Sequence, residues 1–400
     1  MKMRLAIIGA GAAGIVSLKY ALEAGFECEC IEETETFGGT WNYTDKSGTN
    51  KFGFPIHRTM YKNLKTTVPK ELMTFLDASY PTELLEYFLT QPQVLQYLTD
   101  YVNKFNLEKQ IKYYESVVKV EWLSNNTWRI LTINIKNNIL SSKTYDAVLI
   151  CSGRYRFPRI PKYPGQELFK GHQMHSCNYR SPEAFNGKRV LIIGGSFSAL
   201  DISHQLQGIA KMIFLSHKTG MNVKYIIIKT AVKQFCESGV VFEDGTKEEF
   251  DVVIYCTGYD CKFPYLTESC GIIVENNYIS PLYKNIVNIK HPSMYFIGMV
   301  TVNTSFLTCD IQARFVVAAI AKKFSLPIKK SMLKQLKRQV LKLEKNNIPL
   351  DHIHKLGINQ GNYYKELAKI APITPTSPIL SDVFKVLYIN LCKSVFNTTY

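Results

Sequence analysis

With 400 residues, 46% of them hydrophobic, the chain is long enough for roughly two to three domains and needs no disulfide or metal staple to bury a core. Its 48 Lys and Arg against 33 Asp and Glu give a formal charge of +15, which suits anionic partners such as dinucleotides or an acidic membrane surface. Nucleic acid is not expected, since no zinc finger or RNP-type aromatic motif is present, and the ten cysteines, scattered from Cys28 to Cys392 without a C-x-x-C pair, indicate neither a zinc site nor a redox disulfide.

Met1 to Ile8 is too short an apolar run for a signal peptide and leads straight into a glycine turn. Arg4 to Ile8 reads as a buried strand, Ala13 to Glu23 as a helix and Glu27 to Glu32 as the next strand, with Cys28 and Cys30 packed inward. Between the first strand and the helix stands Gly9-Ala10-Gly11-Ala12-Ala13-Gly14. Its first glycine makes a tight turn, the second lets backbone amides approach a pyrophosphate, and the third allows close packing of the helix. Glu32 ends the second strand where it accepts from ribose hydroxyls, and a carboxylate there repels a 2′-phosphate, so this unit is expected to hold FAD rather than NADP. Phe37-Gly38-Gly39-Thr40-Trp41 then supplies a close-approaching loop, the alternative being an ordinary surface turn.

Asp146 to Gly153 is apolar and ends in glycine, and the proline-studded run Phe157 to Gly165 reads as a linker. Arg189 to Ile193, a helix from Ser198 to about Gly208, and Met212 to Ser216 make a second β-α-β unit. Its turn, Gly194-Gly195-Ser196-Phe197-Ser198-Ala199 with Asp201 in the first helical turn, has Ser196 in place of a glycine. The following strand ends in Ser216-His217-Lys218, the sign of charge that a 2′-phosphate wants, so this unit is expected to hold NADP.

Phe250 to Cys256 is a further strand, and Asp310-Ile-Gln312-Ala-Arg314 is expected to open a helix after the strand Met294 to Met299, with Asp310 as a candidate cap. Phe315 to Ala321 reads as one face of a core helix. Lys329 to Lys345 is a basic helix with Leu333, Leu336, Val340 and Leu343 on one face, and Val383 to Phe396 a docked amphipathic helix. No apolar run is long enough to span a bilayer. The alternation of strands and helices predicts an α/β fold of two dinucleotide-binding, Rossmann-like domains, the NADPH domain inserted into the FAD domain. The expected boundaries are 1–159 and 261–400 for the FAD-binding domain and its helical tail, and 160–260 for the NADPH-binding domain.

Phe169, Gly171, His175 and Tyr179 reproduce an F-x-G-x-x-x-H-x-x-x-Y signature that resembles the one before the second nucleotide turn of flavin-containing monooxygenases. Cys256-Thr257-Gly258-Tyr259 resembles their A-T-G-Y segment, and Met60 to Lys70, with Thr66-Thr67, resembles the stretch passing beside the flavin. The resemblance runs from about residue 4 to 325 and is to the short type without a C-terminal membrane anchor. It implies FAD and NADPH as cofactors, hydride transfer from NADPH to FAD, and a flavin hydroperoxide that oxygenates nitrogen or sulfur of small amines or sulfides, as in N,N-dimethylaniline and xenobiotic oxygenation. It places Thr66, Thr67 and Gln312 at the FAD site, the last either bonding the flavin or belonging to a helix start merely capped by Asp310. It gives His175 a structural or nucleotide-positioning part.

Thr67 stands where the family usually has asparagine, Ser196 where it has glycine, and Arg154 where histidine is common. Thr67, the candidate catalytic residue, offers one hydroxyl in place of an amide. Uncoupled NADPH oxidase activity, Baeyer-Villiger oxygenation, and a catalytically decayed nucleotide-binding protein acting through partners remain alternatives. Residence is expected in the cytoplasm, with peripheral contact to the endoplasmic reticulum surface as an alternative.

Overall fold

Leu5 to Ile8 are all apolar, too few for a helix and closed by glycine, and they form the strand β1 (Arg4–Ile8). A computed structural model describes residues 2–54, 56, 59–217 and 225–396, with side chains through residue 393. β1 leads through α1 (Ala12–Glu23) to β2 (Glu27–Ile31), which lies parallel to it with Ile8 level with Ile31. Further along come α2 (Gln91–Lys104), the short strand β3 (Ile111–Lys112), an antiparallel sheet of β4 (Glu115–Trp122), β5 (Trp128–Asn134) and β6 (Ile139–Tyr145), and then β7 (Ala147–Ile150). β7 pairs with β1 on its other side, so β1 is buried between parallel neighbours, as its unbroken apolar run requires. The seven-stranded sheet runs Leu282–Tyr283, Val287–Asn288, Met294–Phe296, β7, β1, β2, β3.

Two compact units emerge from the chain's contacts. One comprises Met1–Asn42, Lys65–Arg154 and Cys261–Val386 and contains this sheet; the other comprises Tyr43–Leu64, Tyr155–Asp260 and the chain from Leu387. The second unit holds a five-stranded parallel sheet ordered Ile227–Lys229, Met212–Ser216, Arg189–Ile193, Val252–Tyr255, His172–His175, with α3 (Phe197–Gln205) following its middle strand. Both sheets carry the strand-turn-helix of a dinucleotide-binding fold, the second inserted between segments of the first.

α4 (Ser305–Ile320) differs from expectation in two ways. It starts at Ser305 rather than at Asp310, so Asp310 is no cap but a buried carboxylate one turn further in. That carboxylate accepts from the Tyr20 hydroxyl and the Leu76 amide, both at 3.0 Å, and from Arg314 Nε at 2.6 Å. The helix is also buried on every side from Phe306 to Ala318, not along one face, because α1 and α6 (Gln360–Ile370) both pack against it. In α5 (Lys329–Lys345) the inward stripe is Met332, Leu336, Val340 and Leu343, with Leu333 exposed. Spacings of four, four and three keep that stripe on one side, whereas residue 333 lies about 100° round from 332. α7 (Pro378–Phe396) closes the described chain, and no helix among the described residues is long and apolar enough to cross a membrane.

His354 is fully buried and locks three segments together: its Nε2 accepts from the Ile279 amide at 2.9 Å, while Nδ1 donates to Asn285 Oδ1 at 2.9 Å. Burial, with Arg154 adding to it, lowers its pKa to about 3. The unfolded chain, with an ordinary histidine near 6.5, therefore binds the extra proton first. This contribution to stability is complete above pH 6.5 and is lost as pH falls from there towards 3. Chemical denaturation at pH 7 and pH 5 is expected to show a drop that His354→Asn, already weakened at pH 7, no longer shows; an equal drop in the variant would assign the acid sensitivity elsewhere.

Candidate functional site

The first turn is shaped by close backbone contacts. Gly9 has φ +100°, and its amide donates to Ile31 O at 2.8 Å. A Cβ on Gly9 would lie 2.8 Å from Cys151 O, and one on Gly14 would lie 1.8 Å from Gly9 O. Gly11 heads α1 without any side-chain cap, so the amides of the first helical turn, with Ala12 and Ala13, are left to an external acceptor. The Phe37–Trp41 loop is tied back here by Gly38 N to Ala10 O at 2.9 Å, which brings Gly39 against Gly11: a Cβ on Gly39 would stand 2.9 Å from Gly11 Cα. Gly39 and Thr40 are exposed. Trp41 is half-buried, edge-on to Phe306 with ring centroids 6.2 Å apart, and its carbonyl accepts from the Gln91 amide.

Glu32 is buried, its Oε2 accepting from Ala10 N at 2.8 Å and its Oε1 from Thr34 N and Oγ1 at 2.9 and 2.7 Å. One acceptor direction remains on Oε2. Cradle, uncapped helix and acceptor together fit a dinucleotide whose ribose carries free hydroxyls.

In the same unit, Thr66 and Thr67 differ sharply. Thr66 is buried and fully engaged: its amide donates to Leu89 O at 2.8 Å, and its hydroxyl donates to Val68 O at 2.8 Å and accepts from Leu89 N at 3.0 Å. Thr67 is exposed, and its hydroxyl makes no hydrogen bond to another described residue. Gln312 is buried with its amide in use at both ends, accepting from Gly298 N at 2.8 Å and donating to the Tyr363 hydroxyl at 2.8 Å. It therefore sets the position of Gly298 from within the helix, not from a helix N-terminus. Arg154 is buried and donates to Met299 O at 2.5 Å.

In the second unit Gly194 repeats the pattern, with φ +133° and an added Cβ 2.2 Å from Cys256 O. Ser196 occupies the N-cap position of α3 without a capping bond, followed by a half-buried Ser198 and a buried Ala199. The His217 ring lies over the turn, where a Cβ on Gly195 would come within 2.2 Å of it, so glycine 195 makes room for an imidazole. Lys218 lies outside the described residues. Asp201 is held by the Tyr61 hydroxyl at 2.7 Å, and Tyr61 packs on Tyr179. Tyr61 belongs to the stretch expected beside the flavin; that stretch is divided, its part up to Leu64 clustering with the second unit and its part from Lys65 with the first. Spacing along the chain offered no signal for this.

His175 is buried, its Nδ1 accepting from Cys177 N at 3.1 Å and its Nε2 3.0 Å from Gly258 O. Nε2 is therefore the protonated nitrogen, and burial lowers the ring's pKa, keeping it neutral. Its work is to fasten the end of its strand to the Cys256–Tyr259 segment.

The family model described as flavin-binding monooxygenase-like matches residues 2–225 and 221–392. Senecionine N-oxygenase of Tyria jacobaeae is 34% identical over 391 residues, covering 95% of this chain and 85% of the relative. Flavin-containing monooxygenase FMO GS-OX-like 4 of Arabidopsis thaliana is 30% identical over 389 residues, covering 91% and 86%. The structure of S-allyl-L-cysteine S-oxygenase from Allium sativum superposes with a TM-score of 0.90 at 29% identity, covering 98% of this chain and 93% of that one. Two glycine turns of opposite charge preference, met by matches along nearly the whole chain, lead to one conclusion: the protein belongs to the flavin-binding monooxygenase-like family, enzymes that use FAD and NADPH.

Proposed function

We propose that this chain is an NADPH- and O2-dependent monooxygenase acting on soft nucleophilic nitrogen or sulfur atoms of small molecules. The observation that carries the reading is the pairing of two uncapped glycine turns with different side chains beyond the following strand, the Glu32 carboxylate at one and the His217 ring over the other. Similarity to an N-oxygenase and an S-oxygenase supports the choice of nitrogen and sulfur.

Bound FAD would supply the redox and oxygen chemistry, with NADPH as the reductant. Gly9 to Gly14 offer backbone amides to its pyrophosphate, Glu32 accepts from ribose, and Gly39, Thr40 and Trp41 cover the cradle. Thr66 anchors the strip that presents Thr67, whose hydroxyl is the donor left for flavin or nicotinamide. Gln312 acts on the FAD site through Gly298. Gly194, Ser196, Ser198 and Ala199 serve the pyrophosphate of NADPH, His217 with Lys218 its 2′-phosphate, and Asp201, pinned by Tyr61, braces α3. We assign the FAD-binding domain to 1–159 and 261–400 and the NADPH-binding domain to 160–260, although Tyr43–Leu64 and the chain from Leu387 cluster with the latter. We place the enzyme in the cytoplasm, in peripheral contact with the endoplasmic reticulum surface.

One observation favours a second reading, an uncoupled NADPH oxidase: Thr67 is a single, solvent-exposed hydroxyl where family members carry an amide, and water at the reacting centre diverts oxygen chemistry to peroxide. NADPH oxidation by FAD-loaded protein, with peroxide followed in parallel and trimethylamine or a thioether added, separates the two. Oxygenated product equal to NADPH consumed is the expected result. Stoichiometric peroxide would establish the oxidase, and no consumption despite bound flavin would defeat both.

A further inference from the structure

The outward face of α5 carries Lys330, Lys334, Lys337, Arg338, Lys342 and Lys345, all exposed and none in an ion pair with another described residue. Glu344 is the helix's one acid, and Lys329 is spent on Lys290 O at 2.7 Å. The same face is not purely polar. Leu333 is 47% and Leu341 52% exposed, and the helix is flanked by Ile328 and Ile348, 74% and 37% exposed. At about 100° per residue, Leu333, Glu344, Lys337, Lys330, Leu341, Lys334, Lys345 and Arg338 fall in that order within roughly 140° of arc, the one acid among five cations. The opposite side is committed to the fold through Met332, with Leu336 and Leu343 half-buried.

A partner for this face must meet cations and leucines together. Phosphates of a nucleic acid would satisfy the lysines and leave the leucines in water. An anionic bilayer presents phosphates at headgroup level and acyl chains directly beneath, and a helix lying flat engages both at once. We propose that the exposed face of α5 docks on the surface of an anionic phospholipid bilayer, its cations against lipid phosphates and Leu333 and Leu341 at the headgroup boundary. The inference rests on the peripheral contact proposed above and names the surface that makes it.

Flotation of the FAD-loaded full chain with phosphatidylcholine vesicles, with and without phosphatidylserine, tests it. Binding is expected only with phosphatidylserine and is expected to weaken in high salt. Replacing Lys334, Lys337, Arg338 and Lys342 together by glutamate is expected to reduce binding by about six hundredfold or more, at roughly fivefold per cation lost. Leu333→Ser with Leu341→Ser is expected to weaken binding without changing its salt dependence. Thermal melting and flavin content show that each variant is folded, since these side chains face solvent. Wild-type binding that survives the charge reversal would overturn the assignment to α5 and leave the peripheral contact standing elsewhere. Absence of wild-type binding would remove both, and equally tight binding of a DNA duplex would reduce the face to unspecific charge and overturn the inference.

Discussion

Gly14→Ala is expected to yield a protein that retains no FAD through desalting and unfolds at markedly lower urea than the wild type. The Cβ it adds would sit 1.8 Å from Gly9 O, far inside van der Waals contact, and both sides of the clash are backbone. Relief requires α1 to move off β1. That motion pulls on Gly9, held at φ +100° against Cys151, and on the packing of α1 against α4. Overpacking of this kind costs about 3 kcal/mol. The same motion spoils the alignment of the helical amides with a pyrophosphate, so cofactor loss and destabilisation come together. Gly25→Ala is the control: its φ is +83° but its added Cβ meets nothing within 4 Å. It pays only the left-handed backbone penalty of about 1 to 2 kcal/mol and keeps its flavin. Full flavin content in Gly14→Ala would show that the turn is not the FAD cradle.

Thr67→Ala is expected to lower kcat/KM for oxygenation about a hundredfold while NADPH oxidation falls much less, the difference appearing as peroxide. The reason lies in the inequality of the two threonines. Thr66 spends its amide and hydroxyl on Leu89 and Val68, whereas the Thr67 hydroxyl has no bond to another described residue and reaches solvent. Removing it therefore takes a donor from the site and leaves the strip intact. Thr66→Ala should do the opposite, costing about 1 to 3 kcal/mol of stability because the Leu89 amide loses its acceptor. Thr67→Asn should raise the fraction of NADPH spent on product. Product yield and peroxide measured together decide the matter, and an unchanged product ratio in Thr67→Ala would take Thr67 out of the reaction.

Sequence reading and structure part company in an orderly way. Gly9, Gly14 and Gly194 were legible because a turn with positive φ, or the close approach of helix to strand at Gly14, sits in one β-α unit where glycine alone fits, although the Cys151 and Cys256 carbonyls that crowd Gly9 and Gly194 come from distant segments. The apolar runs of β1 and of Arg189–Ile193 announced strands buried between parallel neighbours for the same reason. Glu32 and His217 were legible as polar side chains at fixed places after a turn.

Distant partners were not legible. The start of α4 was misplaced because its N-terminus lacks a capping side chain, the Thr304 amide being satisfied instead by Gln360, and because Asp310 looks like a cap until Tyr20, Leu76 and Arg314 surround it. The bond from Tyr61 to Asp201 and the neutral His354 between Ile279 and Asn285 likewise join residues far apart in the chain. The sequence by itself determined the two nucleotide turns and their charge preference, since backbone sterics and local spacing suffice for them. Only the tertiary structure decided which polar side chains are spent on the fold and which, like Thr67, stay open for chemistry, because a hydrogen bond between distant segments exists only once packing has brought them together.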